Sequence, residues 1–258
     1  MGLQTEIAAI IDRVRGEIGV AVAELPDGQE IQINADKPYR AASVIKVAIL
    51  YELFRKHEEK GLDLDALHRV DERNISVGGG VIRTLHRPVQ LSLKDLATLM
   101  IIVSDNSATN ELIDVTTMED VNSTMLHLGL QRTILRRKMT GGAGGEPPID
   151  RDNVMSPRDA IALLREIYSA GHLSRKSCDC ILGIMKEQQL KQKIPRYLPE
   201  NVVFAGKTGT LKGVSNDIGI LFLRQPVAVA MMCMRLGHSA YGSDAIAAVG
   251  NAVYEHYS

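Results

Sequence analysis

A serine and a lysine stand three residues apart in Ser43-Val44-Ile45-Lys46. That spacing is just under one turn of helix, so a hydroxyl and an amine share one face. A serine at a helix start lies near partial positive charge and a free backbone N–H. The lysine is crowded by Ile45, Val47 and Ile49. Desolvation in such a setting lowers an amine's pKa and suits it to act as a base toward the hydroxyl. Two further tripeptides carry compatible groups. Ser104-Asp105-Asn106 falls between two helical runs, where a turn presents a second hydroxyl and a carboxamide to a shared cleft. Lys207-Thr208-Gly209 ends a late strand, and Gly209 lets a ligand approach the backbone closely. Each of the three alone also reads as an ordinary cap, turn or strand end. Their joint occurrence is the informative feature.

Other chemical signals fail. Gly206-Lys207-Thr208 resembles the end of a phosphate-binding loop, but Asn201 replaces the upstream glycine and no helix start follows. Cys178 and Cys180 are one residue apart with His172 nearby, a spacing that suits structural zinc poorly, and no His-Glu-x-x-His pair exists. Reduced, partly buried cysteines are the expected reading. Arg132, Arg136, Arg137 and Lys138 read as a solvated loop face rather than a nucleic-acid patch.

The elements that must position these groups follow from periodicity. Ile7, Ile10, Ile11 and Val14 predict a first helix, with Thr5 available as its cap. Strands are expected over Gly19–Ala23 and Glu30–Ile33, joined at Pro26-Asp27-Gly28. Helices are then expected over Val44–Lys56, Leu93–Ile102, Asn106–Val115, Val121–Leu128, Pro157–Ala170 and Ser177–Glu187, with glycine-rich breaks at Gly78–Gly80 and Gly141–Gly145. Strands return over Val202–Lys207, Asn216–Leu223 and Val227–Arg235, before a last helix over Ser243–Tyr254. The expected fold is α/β, an antiparallel sheet flanked by helices and closed by both termini, plus an all-helical domain. The discontinuous α/β domain spans 1–42 and 194–258, the helical one spans 43–193, and the active site lies at their interface.

The chain has 258 residues, of which 45% are hydrophobic and 24% charged, a globular composition that argues against disorder. Thirty basic side chains against thirty-one acidic ones leave a net charge of -1, which removes the broad electrostatic case for nucleic acid or an anionic membrane. Three cysteines cannot build a disulfide scaffold. The longest apolar run, Val227 to Met234, is far short of the ~20 residues that span a bilayer. No basic segment followed by an apolar stretch opens the chain, so no export signal is legible. Location stays open: extracytoplasmic if a signal peptide was trimmed, otherwise cytoplasmic.

The set S-x-x-K, S-D-N and K-T-G, in this order and at these intervals, resembles the motif set of class A β-lactamases and penicillin-binding proteins. Asn216-Asp217-Ile218 and the run Leu96–Asn110 are similar to the same family, so the resemblance covers nearly the whole chain. It implies that Ser43 attacks the β-lactam carbonyl to form an acyl-enzyme, that Lys46 helps deprotonate it, and that Ser104 passes a proton to the lactam nitrogen. It further implies that Asn106 binds the substrate's amide side chain. Lys207, Thr208 and Thr210 would bind its carboxylate, beside Gly209, and the backbone N–H groups of Ser43 and Thr210 would form the oxyanion hole. No metal or organic cofactor is implied. The deacylating glutamate of the family corresponds to Glu146 in Glu146-Pro147-Pro148-Ile149-Asp150, where Asp150 replaces an asparagine, and Asp152 or Asp150 is the candidate pin of that loop.

The function so implied is a serine β-lactamase, a monomer acting on a small-molecule β-lactam, with deacylation limiting. A D-Ala-D-Ala peptidase or esterase, and a penicillin sensor that acylates without turnover, are the alternatives. The preferred β-lactam class is not legible in the sequence.

Overall fold

The computed structural model describes residues 2–141, 145 and 147–258. The chain opens with α1 (Leu3–Ile11), the hairpin β1 (Glu17–Glu24) and β2 (Glu30–Ile33), and the short β3 (Tyr39–Arg40). A 3-10 turn over Ala42–Ile45 leads into α2 (Lys46–Lys60). Next come β4 (Leu67–Arg69), β5 (Gln90–Ser92), α3 (Leu93–Ile102), α4 (Asn106–Thr116), α5 (Met118–His127), β6 (Val154–Met155), α6 (Pro157–Ser169) and α7 (Arg175–Lys186). The chain ends through β7 (Val203–Leu211), β8 (Val214–Phe222), β9 (Val227–Met234) and α8 (Ser239–Tyr257).

Five strands form one antiparallel sheet in the order β2-β1-β9-β8-β7. The β9 segment is apolar throughout because it is covered on both faces, which removes any polar alternation. Its Val227, Val229, Met231 and Cys233 join Ile7 of α1 and Ile246, Val249 and Val253 of α8 in one core. Its Ala228, Ala230 and Met232 belong to the other core, with Val44, Leu50, Leu96, Leu112 and Leu164 from the helical side. The result is an α/β part with an antiparallel sheet flanked by helices, plus a helical region, as the patterning predicts.

Several local expectations need correction. Thr5 is not the first cap: α1 starts at Leu3 behind Gly2, and Val14 lies past its end. Ser43 does not open the α-helix but sits in the 3-10 turn before it, and Lys46 is the first α-helical residue. The Lys207-Thr208-Gly209 tripeptide lies inside β7 rather than at its end, because β7 stays paired with β8 as far as Leu211 opposite Val214. The stretch from 43 to 193 is not purely helical. It holds the β4–β5 pair and donates β6 to β3, strands of two or three residues and too short to show periodicity. Helix α6 also packs against β1 and β9.

The start of α4 matters most for the site. Asp105 is buried and caps that helix, its Oδ1 accepting from the Ala108 N–H at 2.9 Å. Its Oδ2 accepts from the N–H groups of Val81 and Ile82 at 2.6 and 2.8 Å, which draws the Gly78–Gly80 segment onto the helix start. Gly80 is required there. Its φ is +103°, and a Cβ would lie 2.2 Å from the Asp105 carboxylate. Three charge-assisted bonds to an otherwise unsolvated backbone predict that Asp105→Ala costs about 3 kcal/mol of stability. Urea unfolding measures this, and a loss below about 1 kcal/mol would show that other contacts hold the turn.

Candidate active site

Ser43 is half-buried on the wall of a cleft of about 1090 Å³, shared with Ser104, Asn106, Thr208 and Thr210. Its position is set by the edge strand. A Cβ on Gly209 would lie 2.9 Å from the Ala41 carbonyl oxygen and 3.0 Å from the Ser43 nitrogen, so only glycine permits this approach of β7 to the serine turn. From β8, the Asn216 carboxamide donates to the carbonyls of Arg40 and Ala41 at 2.8 and 3.0 Å and accepts from the Cys233 N–H of β9. Ala42, just before the serine, adopts φ +49°, a left-handed conformation costly for a residue with a Cβ. Strain of this kind persists only where surrounding bonds over-determine it.

Two fully buried amines converge on the Ser104 hydroxyl. Lys46 Nζ donates to Ser104 Oγ at 3.1 Å, to the Ser104 carbonyl at 2.9 Å and to Asn106 Oδ1 at 2.9 Å. Lys207 Nζ donates to the same Oγ at 3.0 Å and to the Thr208 carbonyl at 2.8 Å. Burial pulls Lys46 well below the usual lysine pKa, the charge of Lys207 adds to this, and Asp105 opposes it. Burial likewise brings Lys207 to about 7, against the attraction of Asp217, with Lys193 pushing further down. Burial thus weakens the hold of the Lys46 amine on its proton. The spacing of Ser43 and Lys46 predicts a direct pairing, but the Lys46 amine points instead to Ser104 and Asn106. Ser104 itself has φ +56°.

The Asn106 carboxamide is more engaged than the sequence suggests. Its oxygen takes the Lys46 bond, and its nitrogen donates to the Val77 carbonyl at 2.9 Å, leaving one N–H toward the cleft. Thr210 is exposed at the cleft edge and Thr208 is buried beside it.

Glu146 lies outside the described residues. Of the two candidate pins, Asp152 is buried and Asp150 is exposed. Asp152 Oδ2 accepts from Arg40 Nη1 at 2.5 Å, and its Oδ1 accepts from Arg137 Nε at 2.8 Å. Arg40 also donates to the Pro147 carbonyl at 2.6 Å. The expected solvated basic face is thus corrected: Arg136 binds the Asp152 carbonyl, Arg137 its carboxylate, and Lys138 pairs with Asp114. These partners arrive from distant segments, so charge spacing alone does not reveal them. Further along the same wall, Asn110 of α4 grips Met139, accepting from its N–H and donating to its carbonyl at 2.8 and 3.0 Å.

Two residues near the site were not singled out as site residues in the sequence. Lys193 is buried beneath β7, and Asp217 is buried on β8. Lys193 carries no local signal, as it ends the polar run Lys191-Gln192-Lys193. Asp217 had one: a carboxylate inside an apolar strand rarely goes without a task. All three cysteines are free, and no three metal-ligating side chains come together among the described residues.

The beta-lactamase enzyme family matches this chain over residues 2–257. A beta-lactamase of Phocaeicola vulgatus is 26% identical over 239 residues, which cover 88% of this chain and 72% of that protein. The crystal structure of a beta-lactamase from Sphaerobacter thermophilus is similar with a TM-score of 0.91 at 29% identity, covering 99% of this chain and 96% of that one. PBP-A is similar with a TM-score of 0.89 at 28% identity, covering 99% and 95%; a mutant of it is known as an acyl-enzyme complex with penicillin G. A match from one end to the other, over a cleft built from two serines and two buried lysines, leads to one conclusion: the chain belongs to the beta-lactamase enzyme family.

Proposed function

We propose that this protein is a serine hydrolase that opens β-lactam rings through an acyl-enzyme on Ser43. The observation that carries the reading is the convergence of two buried lysine amines on Ser104 Oγ in the cleft that Ser43 lines. Ser43 Oγ attacks the lactam carbonyl, and its proton passes to the Lys46 amine in its free-base form, which burial favours. The Lys46–Ser104 bond of 3.1 Å carries a proton onward to the departing lactam nitrogen. The N–H groups of Ser43 and Thr210 stabilise the oxyanion, a contribution of about 3–4 kcal/mol per donor in comparable sites. Lys207, Thr208 and Thr210 receive the ring carboxylate, and Asn106 receives the amide side chain.

Deacylation requires a base beside the attacking water, and we assign this to Glu146. A second reading is acylation with little turnover; Asp152, a described carboxylate that lines the cleft, has both oxygens taken by arginines and does not serve as a free base. The acyl-enzyme known for the PBP-A mutant supports the shared first step.

Brief exposure to benzylpenicillin should add one equivalent of mass, mapped to Ser43 and absent in Ser43→Ala. An adduct that survives in that variant, or maps to Ser104, refutes the nucleophile. Because Lys207 loses its charge as pH rises through about 7, kcat/KM for benzylpenicillin should fall about tenfold between about pH 6 and 8. An uncharged ester should change less than about threefold. Equal falls would mean that Lys207 does not act through the substrate's carboxylate. Stopped-flow hydrolysis should show a burst near one equivalent and then a slower steady state. Glu146→Gln should keep the burst and nearly abolish the steady state; turnover at the parent rate would remove Glu146 as the base.

A further inference from the structure

A second cleft, of about 650 Å³, lies on the helical side between β4, the turn that follows it, α4 and the loop before Met139. Every residue that lines it carries a polar or charged side chain, and the chemistry above uses none of them. Its three carboxylates are bonded within the protein. Glu111, buried on α4, accepts from the Asp71 N–H at 2.7 Å and bonds His68 Nε2 at 2.6 Å. Asp71 accepts from Arg73 Nε at 2.9 Å and from Nη2 at 2.5 Å, and these bonds hold its carboxyl down to about 2. Asp114 accepts from Asn74 Nδ2 at 2.7 Å and pairs with Lys138 Nζ at 2.5 Å. Each carboxylate oxygen of the cleft thus has a donor of this chain against it.

The donors, by contrast, are not used up. Arg69 has no hydrogen-bond or ion-pair partner for its side chain among the described residues, so its whole guanidinium fork is open. Arg73 turns Nε and Nη2 to Asp71 and keeps the protons of Nη1. Lys138 Nζ also donates to Asn74 Oδ1 at 2.7 Å, which together with Asp114 engages two of its three protons. The carboxylates are matched one to one by His68, Arg73 and Lys138, and Arg69 stands outside these pairs. A cation entering here meets carboxylates that already have partners. An anion meets open N–H groups on three side chains.

We propose that this second cleft binds a small organic anion, which presents a phosphate or carboxylate group to Arg69, Arg73 and Lys138. Arginine forks recognise both groups through paired N–H bonds. The volume lies within the range of about 300–1,000 Å³ of small-molecule sites, well beyond a lone inorganic ion, so the anionic group belongs to a larger molecule. Once bound, it bridges two segments. Arg69 and Arg73 belong to β4 and the turn after it, whereas Lys138 belongs to the loop that continues into Met139 on the wall of the active cleft. The proposal is independent of the β-lactam reading.

The test is isothermal titration of the full chain with sodium phosphate and, separately, with citrate, at an ionic strength held constant with chloride. One equivalent should bind saturably with a Kd of about 1 mM or tighter, and the tighter probe tells phosphate from carboxylate recognition. Arg69→Gln removes no bond to a described residue and should weaken binding about tenfold, the scale of one charge-assisted pair. Lys138→Gln should weaken it similarly. Arg158→Gln, whose side chain pairs with Asp36 and lines neither cleft, should leave it unchanged. The bound anion should also raise the Tm of the parent more than that of Arg69→Gln. If Lys138→Gln does not fold, Arg69→Gln decides alone. Absence of saturable binding by both probes overturns the proposal. So does binding that Arg69→Gln leaves at parental strength, because the anion then sits elsewhere, the active cleft included.

Discussion

The Ser104 hydroxyl accepts from two amines that are both 0% exposed, at 3.1 Å from Lys46 and 3.0 Å from Lys207. Burying one ammonium already costs several kcal/mol, about the scale of a weak domain's whole stability, and two beside each other repel as well. The protein answers this in two ways. Desolvation lowers both pKa values, helped by the charge of Lys207 at Lys46 and by that of Lys193 at Lys207, so that the pair need not carry two full charges. Five N–H donations from the two amines go to oxygens of Ser104, Asn106 and Thr208. The same arrangement weakens the hold of Lys46 on its proton and leaves Lys207 partly charged near neutral pH.

Much of the surrounding structure serves to hold that oxygen still. Ser104 is in the left-handed region and would relax without support. Asp105 supplies the support by capping α4 and gathering the Val81 and Ile82 amides. Glycine at position 80 lets that segment come close enough. On the opposite wall, β7 is the edge strand of the sheet, so its free side is available to meet the serine turn. Gly209 makes the approach sterically possible and Asn216 bonds it in place. The Ser43 turn, the lysine–serine cluster around Ser104 and the edge strand β7 thus come from three separate elements under one set of packing constraints.

The third wall follows a different logic. Its buried carboxylate, Asp152, is neutralised by Arg40 and Arg137, and Arg40 sits three residues before Ser43. The loop is therefore tied to the serine turn through one guanidinium that also reaches the Pro147 carbonyl. Displacement of that guanidinium would leave a buried anion short of a partner, which is strongly unfavourable. The positions of the loop and of Ser43 are coupled for this reason.

The order of the main strands and helices, the apolar run of β9 and the three motifs were legible in the sequence, because each depends on residues within a turn or two of one another. Periodicity reports which face of an element is apolar, and Leu93–Ile102 and Glu30–Ile33 were read to the residue on that basis. The direction of the Lys46 amine was not legible. Its partners lie 58 and 60 residues away, and the bond from Lys207 to Ser104 spans 103. Nor were the engagement of Arg136 and Arg137 with Asp152, or the seat of Lys193 between Gly209, Thr210 and Asn216. A lysine in a polar run looks solvated until a strand from elsewhere covers it. Sequence by itself decided which groups exist and which elements carry them. Only the tertiary structure decided which charges lose their water and which atom each then turns to, because desolvation depends on what packs around a group, and here those neighbours come from distant parts of the chain.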